Sequence, residues 1–319
     1  MADNIFNVLG FTGLELGNIQ SVDEMTIIPI LGEDRTKNTS DPEKVKFHRT
    51  RGYGSMEFEN DDDTGFGIVP NNTMVISDRA AQDHAMAETG LLASKEHKTY
   101  DNACCIQQSQ CGYLDRSDNE YNVLPVDLRR ALLTPQKRSQ HSAGKIWEDI
   151  SRWLSDVPGI DHGRGHLEYF FRPFKKELED FVAEFEPVEG QLGAVVFYND
   201  TPVGIEIMPN VRHWNTYWKW LVRGCYGSQL LKLKKSGKLK AATMKLPSSS
   251  GVDLITKLDQ FITELKATFV GKVNALQIST VGSSKNELPQ VAKKLIRIGS
   301  GGGDVLIEKN KPIYLSSVI

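Results

Sequence analysis

Short apolar runs rich in β-branched residues lie near both ends of this 319-residue chain, and they constrain its fold more than any other feature. Residues 25–31 (MTIIPIL) have the composition of a buried strand, and residues 304–307 and 312–318 form a predicted hairpin. We therefore expect the C-terminal strands to return to a sheet that begins near the N-terminus. This return argues against two independent domains.

The middle of the chain instead repeats apolar residues at helical spacing, which predicts helices over residues 138–154, 166–186, 210–235 and 252–266. Pro173 lies inside the second pattern, so it either kinks that helix or marks its first turn. Asn210 is a plausible cap of the third. Between the helices, residues 191–198 and 203–207 predict a second hairpin, and residues 53–59, 73–77, 103–107, 275–281 and 293–298 are further strand candidates.

These patterns together predict an α+β fold, with a sheet-rich core and packed amphipathic helices in the middle and the C-terminal half. We expect one continuous unit over residues 1–319. Residues 1–24 would form an N-terminal arm, residues 25–123 a β-rich part and residues 124–319 a mixed α/β part. The length permits one large domain or two modest ones.

Composition favours a cytoplasmic protein that is not bound to a membrane. No stretch approaches the ~18 apolar residues that a membrane helix needs, and the first residues are too polar for a signal peptide. The cysteines are Cys104, Cys105, Cys111 and Cys225, without a CxxC motif, which favours reduced thiols. If the source is viral, the host cytoplasm or the virion is the expected location.

The charge distribution is strongly asymmetric. Residues 207–252 contain no Asp or Glu but nine basic residues, which leaves 29 basic residues against 41 acidic ones elsewhere. Because lysines attract phosphates and aromatic faces stack on bases, the segment is a candidate face for an anionic partner: a nucleotide, a nucleic acid or an acidic protein. The predicted partner-binding residues are Arg212, Lys219, Arg223, Lys232, Lys234, Lys235, Lys238 and Lys240. The alternative is a helix with buried aromatics and solvated lysines, since Trp214, Tyr217 and Trp218 follow helical spacing.

Other candidate sites are weaker. His162 and His166 have a metal-ligand spacing, but two glycines between them favour a loop, and the remaining histidines, His48 and His97 among them, are scattered. Residues 299–304 are glycine-rich, yet a strand follows where a phosphate loop needs a helix. Cys105 has no obvious activating base. We predict no metal centre and no bound cofactor.

Three ordered segments resemble one known family, the ARPP family (ARG and rhodanese-phosphatase-superfamily-associated protein domain). They are residues 188–196 (VEGQLGAVV), 203–205 (VGI) and 218–226 (WKWLVRGCY). The family has an EGQVGAVV strand, a VGLD-like strand and a WxKLLRSY-like run. Residues 104–108 also resemble its VSCVEQ segment, and the likeness extends over most of the chain from about Thr26.

The resemblance implies an association with ADP-ribose and NAD-linked systems. Glu189 and Gln191 match the family motif and are, with Lys98, the candidate cofactor-binding residues; a turn that fixes the hairpin is the alternative role of the first two. Gln107 stands where the family has an acidic residue, and the family's GGKQNR-like loop is matched only by residues 95–99. We therefore expect a non-catalytic binding or assembly module, self-associating, of the kind found in viral or prokaryotic defence systems. The alternative is an enzyme or binder that acts on NAD or ADP-ribose-type nucleotides.

Overall fold

The fold is seen in a computed structural model of the chain. The structure describes residues 5–77, 82–108, 112, 114, 119–134, 137–138, 141–239, 252–283 and 288–319. It confirms the predicted α+β class, with helices and several β-sheets in one chain.

The strands are, in chain order, β1 (Glu15–Leu16), β2 (Gln20–Val22), β3 (Met25–Leu31), β4 (Val45–Gly52), β5 (Ser55–Asn60), β6 (Gly67–Val69), β7 (Thr73–Ser77), β8 (His84–Ala85), β9 (Gly90–Leu92), β10 (His97–Tyr100), β11 (Cys104–Cys105), β12 (Asn119–Val123), β13 (Gln191–Tyr198), β14 (Thr201–Ile207), β15 (Ile278–Ser283), β16 (Val291–Ile298), β17 (Gly302–Glu308) and β18 (Lys311–Val318).

The described helices are α1 (Ile5–Val8), α2 (Val126–Leu132), α3 (Trp147–Ser155), α4 (Glu168–Phe171), α5 (Lys175–Ala183), α6 (Val211–Trp220), α7 (Ser228–Lys235) and α8 (Val252–Asn274). A π-helical segment, Leu221–Gly227, joins α6 to α7. As predicted, Asn210 caps α6, accepting a hydrogen bond from the backbone N–H of His213 at 2.9 Å.

A nine-stranded antiparallel sheet organises the molecule, in the order β1-β3-β13-β14-β18-β17-β16-β15, with β2 also paired to β3. The hairpin of β13 and β14 therefore lies between an N-terminal strand, β3, and the C-terminal strand, β18. This confirms the prediction that the C-terminal strands return to the first sheet. Three smaller sheets are built from β10-β5-β4, from β11-β8-β7-β12 and from β6-β9.

Both faces of the large sheet are apolar because helices cover both. Ala194, Val196 and Tyr198 pack in one buried cluster with the aromatic residues of α6. Val195 and Phe197, which alternate with them, pack in another cluster with residues of α1 and α8. A third cluster joins α2, α3 and α4 to β7, β8 and β11.

Two predicted helices are shorter than their apolar patterns. The first begins at Trp147 rather than at residue 138, and residues 143–146 form turns instead. The second is divided into α4 and α5 on either side of Pro173, whose ring and missing N–H interrupt helical hydrogen bonding. By contrast, the helix predicted over residues 252–266 continues to Asn274.

Membrane insertion finds no support in the helices. Within the described part of the chain, none combines the length and the apolar character needed to cross a bilayer.

Candidate functional site

The aromatic residues of the predicted anion-binding segment lie in the core. Trp214, Tyr217, Trp218 and Tyr226 are all buried against the large sheet. Only Trp220 is partly exposed, and its ring stacks on Tyr121 with centroids 4.9 Å apart. The helical spacing of these residues therefore reflects packing, and their faces are not open to stack on bases.

Most cations of this segment pair with carboxylates from elsewhere in the chain. The closest pairs are Arg212–Asp41 at 2.5 Å, Arg223–Glu120 at 2.6 Å, Lys232–Asp156 at 2.6 Å, Lys234–Asp23 at 2.7 Å, Lys235–Glu177 at 3.1 Å and Lys238–Asp156 at 2.6 Å. Because the segment has no carboxylate of its own, every such pair attaches it to another element. The positive charge of this segment is thus used mainly in ion pairs within the chain.

Three of the segment's nine basic residues are not in this list of pairs, and one of them, Lys245, lies outside the described residues. Lys219 is exposed, with its amine 5.8 Å from the centroid of the Trp218 ring. Lys240 lies outside the described residues. The partner-binding role of the whole set stays a prediction.

The three predicted cofactor-binding residues are not brought together. Gln191 is buried: its side-chain oxygen accepts from the Val188 N–H at 2.9 Å, and its amide donates to the Gly193 carbonyl at 2.9 Å. Glu189 is exposed in the turn before it. Lys98, on β10, donates to the Leu91 carbonyl at 2.9 Å. Gln191 thus has the geometry of the turn clip that was its alternative role, and none of the five described grooves is lined by any of the three.

A buried polar cluster surrounds the segment that resembles VSCVEQ. His84 pairs with Cys105 across β8 and β11, and the Gln107 side-chain oxygen accepts from the Asp83 N–H at 2.9 Å. A Gln82 side-chain amide donates to the Gln107 carbonyl at 3.2 Å. The sequence reasoning missed Gln82, Asp83 and His84, because their proximity to residues 105–107 depends on strand pairing. A carboxylate at position 107 would lie beside buried Asp83, which gives a physical reason for the neutral glutamine.

His84 and Cys105 in this cluster are held in their neutral forms. Burial lowers the pKa of His84 to about 4; its Nδ1 lies 2.7 Å from the Gln82 carbonyl, and its Nε2 accepts from the Gly54 N–H at 3.1 Å. Burial raises the pKa of the Cys105 thiol to about 11, and this thiol donates to the Gln107 carbonyl at 3.0 Å. Neither side chain is therefore prepared to act as a nucleophile or a general base near neutral pH.

A polar groove lies against the outer side of this segment, with a volume of about 790 Å³. It is lined by Gln108, Lys137, Ser142, Gly144, Lys145, Trp147, Glu148, Asp149, Ser151 and Arg152. We refer to it as the α3 groove, because its walls come from the first turns of α3 and the residues before it.

Positive charge exceeds negative charge in the α3 groove. Asp149 is shared: it pairs closely with Lys137 and lies 3.6 Å from a guanidinium nitrogen of Arg152. Lys145 is buried, donates to the Asn102 carbonyl at 2.6 Å, and has its pKa lowered by that burial. The lining holds three cations, Lys137, Lys145 and Arg152, against two carboxylates, so an anion entering the groove meets an excess of one positive charge.

Other grooves lack this combination of size and charge. The groove lined by Lys232 and the groove lined by Lys219 each contain equal numbers of cations and carboxylates. The groove lined by Lys234 contains one cation and four carboxylates. A groove of about 240 Å³ is lined by Arg130 and Arg297, with no acid among its described lining residues. Arg130 there already donates to Asp127 and to the Ile319 carbonyl.

The structure also shows the surroundings of the histidine pair and of the glycine-rich segment that the sequence suggested as sites. His166 is buried near Glu168, whereas His162 is exposed. Among the described residues, the histidine, cysteine and carboxylate side chains that lie close enough together to share a metal ion do not include this pair. They include His48 and His97, so the expectation that those two are merely scattered was wrong. Residues 299–301 connect β16 to β17, which confirms the hairpin and leaves no helix to bind phosphate.

Comparison with known proteins gives one match. The family model of the ARG and Rhodanese-Phosphatase-superfamily-associated Protein domain (ARPP-1) matches residues 13–296. No curated protein and no solved structure matches the chain.

Proposed function

The chain belongs to the ARG and Rhodanese-Phosphatase-superfamily-associated Protein domain family, and we propose that it is a non-catalytic module that binds a nucleotide-sized anion in the α3 groove. The observation that carries the proposal is the lining itself, in which three cations meet two carboxylates over the segment that resembles VSCVEQ.

The size and chemistry of the groove suit a phosphorylated ligand. Its volume of about 790 Å³ lies within the range of roughly 300–1,000 Å³ usual for small-molecule sites. The Arg152 side chain is 75% exposed, so its guanidinium fork can turn from Asp149 to a phosphate without being pulled from the core. Ser142 and Ser151 add hydroxyl donors. The family resemblance makes ADP-ribose and NAD the first ligands to test.

The buried cluster behind the groove supports binding rather than catalysis. Burial raises the pKa of Cys105 to about 11 and so keeps its thiol protonated near neutral pH. His84 uses both ring nitrogens within the fold, and Gln107 provides an amide where a carboxylate would be needed for acid–base chemistry. The remaining groups at the groove bind and orient.

Removing two groove cations is expected to weaken ligand binding. We expect the double variant Lys137→Ala/Arg152→Ala to bind ADP-ribose and inorganic pyrophosphate about tenfold or more weakly than the wild type, because it loses two charge-assisted contacts. Isothermal titration calorimetry measures this difference in affinity. The wild type should also bind more weakly at high salt than at low salt, because salt screens the attraction between the groove and the ligand.

The matched control is Arg212→Ala/Lys219→Ala, which removes the same charge from exposed residues outside the groove. Its affinity should stay within about twofold of the wild type. Loss of binding in the control but not in the groove variant would move the site to the basic segment, and loss in Arg297→Ala would move it to the smaller groove. Turnover of NAD or ADP-ribose, seen by mass spectrometry, would contradict the non-catalytic role.

Self-association is a separate part of the proposal, since the sequence also predicts an assembly component. Light scattering of the purified chain should then give a mass that is a multiple of the chain mass. A single-chain mass across a hundredfold range of concentration would contradict it.

A further inference from the structure

Histidines and glutamates gather on one face of the three-stranded sheet β10-β5-β4. His97 lies opposite Glu59 in the register of β10 and β5, and Glu57 follows two residues along on the same face. On β4 the register shifts between Phe47 and Arg49, which makes His48 the extra residue of a β-bulge. A bulge re-aims side chains, and here it brings His48 to the face occupied by the glutamates.

The distances within this cluster are short. Glu59 Oε2 lies 3.8 Å from His48 Nδ1 and 3.6 Å from His97 Nε2. His97 turns its other nitrogen, Nδ1, toward Glu57 Oε1 at 3.8 Å. The two imidazole centroids are 5.3 Å apart. Glu59 therefore faces one nitrogen of each imidazole ring.

Two arginines fix the Glu57 carboxylate without occupying all of it. Arg49 Nε donates to Glu57 Oε2 at 3.2 Å, and Arg51 makes a close contact with the same oxygen. Oε1, which faces His97, takes no part in these two contacts. One ligand atom from each of His48, Glu57 and His97 lies within 4.8 Å of the others.

We propose that His48, Glu57 and His97 bind a transition-metal ion of the zinc class, with Glu59 holding the two imidazoles in place. Two nitrogens and a carboxylate oxygen form a ligand set that Zn²⁺ prefers, with a fourth position left to water. Ligands at about 2.1 Å in a tetrahedral site are about 3.4 Å apart, so the cluster must contract slightly. His97 is 56% exposed and can make that movement.

The three proposed ligands lie on three different strands. They come from β4, β5 and β10, so the ion would join all three strands of the sheet. Glu59 would act as the outer carboxylate that orients both histidines, a role that typically changes metal affinity 10–100-fold.

Equilibrium dialysis against Zn²⁺ alone tests the site. The wild type should bind one ion, and His48→Ala and His97→Ala should each weaken its binding at least tenfold. Both histidines are at least partly exposed, so both variants should fold. Glu59→Gln, a positioning change, should weaken binding about tenfold while the one-to-one stoichiometry remains, and the visible spectrum of the Co²⁺ form should change.

His162→Ala is the matched control, because it removes an exposed histidine elsewhere in the chain. It should leave the Zn²⁺ affinity unchanged. Equal affinity in the wild type, His48→Ala and His97→Ala would overturn the proposal, and so would absence of any bound ion in the wild type or loss of binding in the control.

Discussion

Replacing Arg129 by methionine is expected to lower the free energy of unfolding by about 3–5 kcal/mol. The guanidinium is 1% exposed and donates to Glu206 Oε1 at 2.7 Å and to Ser316 Oγ at 2.8 Å. The Glu206 side chain is fully buried and also accepts from the Tyr226 hydroxyl at 2.7 Å. Without the arginine, an uncompensated carboxylate would remain in the core between α2, β14 and β18. Urea unfolding measures the loss.

Removing both charges provides the internal control for this prediction. The double variant Arg129→Met/Glu206→Leu should recover a large part of the lost stability, because no buried charge is left unpaired. Arg152→Met, at a 75% exposed side chain, should change the free energy of unfolding by less than about 1 kcal/mol. A single Arg129→Met variant as stable as Arg152→Met would contradict this description of the core.

Replacing Gly193 by alanine is expected to cost about 3 kcal/mol of folding free energy. A Cβ atom at this position would lie 1.9 Å from the Glu206 carbonyl oxygen on the neighbouring strand, where backbone and not a flexible side chain must move. In the pairing of β13 with β14, Gly193 lies opposite Ile207, the residue that follows Glu206. Thermal and urea unfolding of the variant measure the cost.

Gly271→Ala offers a control of opposite sign. Gly271 lies within α8, and a Cβ there would meet nothing within 4 Å, so alanine should stabilise the chain by about 0.5–1 kcal/mol through its higher helix propensity. If the two substitutions changed stability by similar amounts, the close approach at Gly193 would not limit the packing of β13 on β14.

Local sequence was sufficient for several strands, two of them neighbours in the large sheet. Residues 25–31, 73–77 and 191–198 form strands with the predicted bounds, because each is an apolar run whose buried environment matches its composition. The π-helical segment could not be predicted in this way. Its Gly224 weakens a helix by propensity, yet a Cβ there would lie 2.6 Å from the Val123 nitrogen, so packing on β12 requires glycine.

The candidate sites depended on contacts that local patterns do not contain. The excess of lysine after residue 207 was a real signal, but its carboxylate partners, such as Asp23 and Asp156, come from distant parts of the chain. Likewise, His48 meets His97 only through a β-bulge and the pairing of three strands. An excess of one charge in a segment predicts that it contacts groups of the opposite charge. Only the tertiary structure shows whether those groups belong to the same chain.

The residues that carry the family resemblance mainly hold the fold together. Gln191 clips the turn before β13, Gly193 permits close strand packing, and Tyr226 supports the buried Glu206. These segments therefore contribute to the fold, while the proposed ligand site lies in the α3 groove, outside the three of them.

A titration followed by the indole signals of the tryptophans tests the central claim most directly. The chain has five tryptophans, of which Trp147 lines the α3 groove and Trp218 and Trp220 line the groove of the basic segment. With ¹⁵N-labelled protein and ADP-ribose, we expect the Trp147 indole N–H resonance to shift in a saturable manner while those of Trp218 and Trp220 stay in place. Saturable shifts at Trp218 and Trp220, with Trp147 unchanged, would contradict the account.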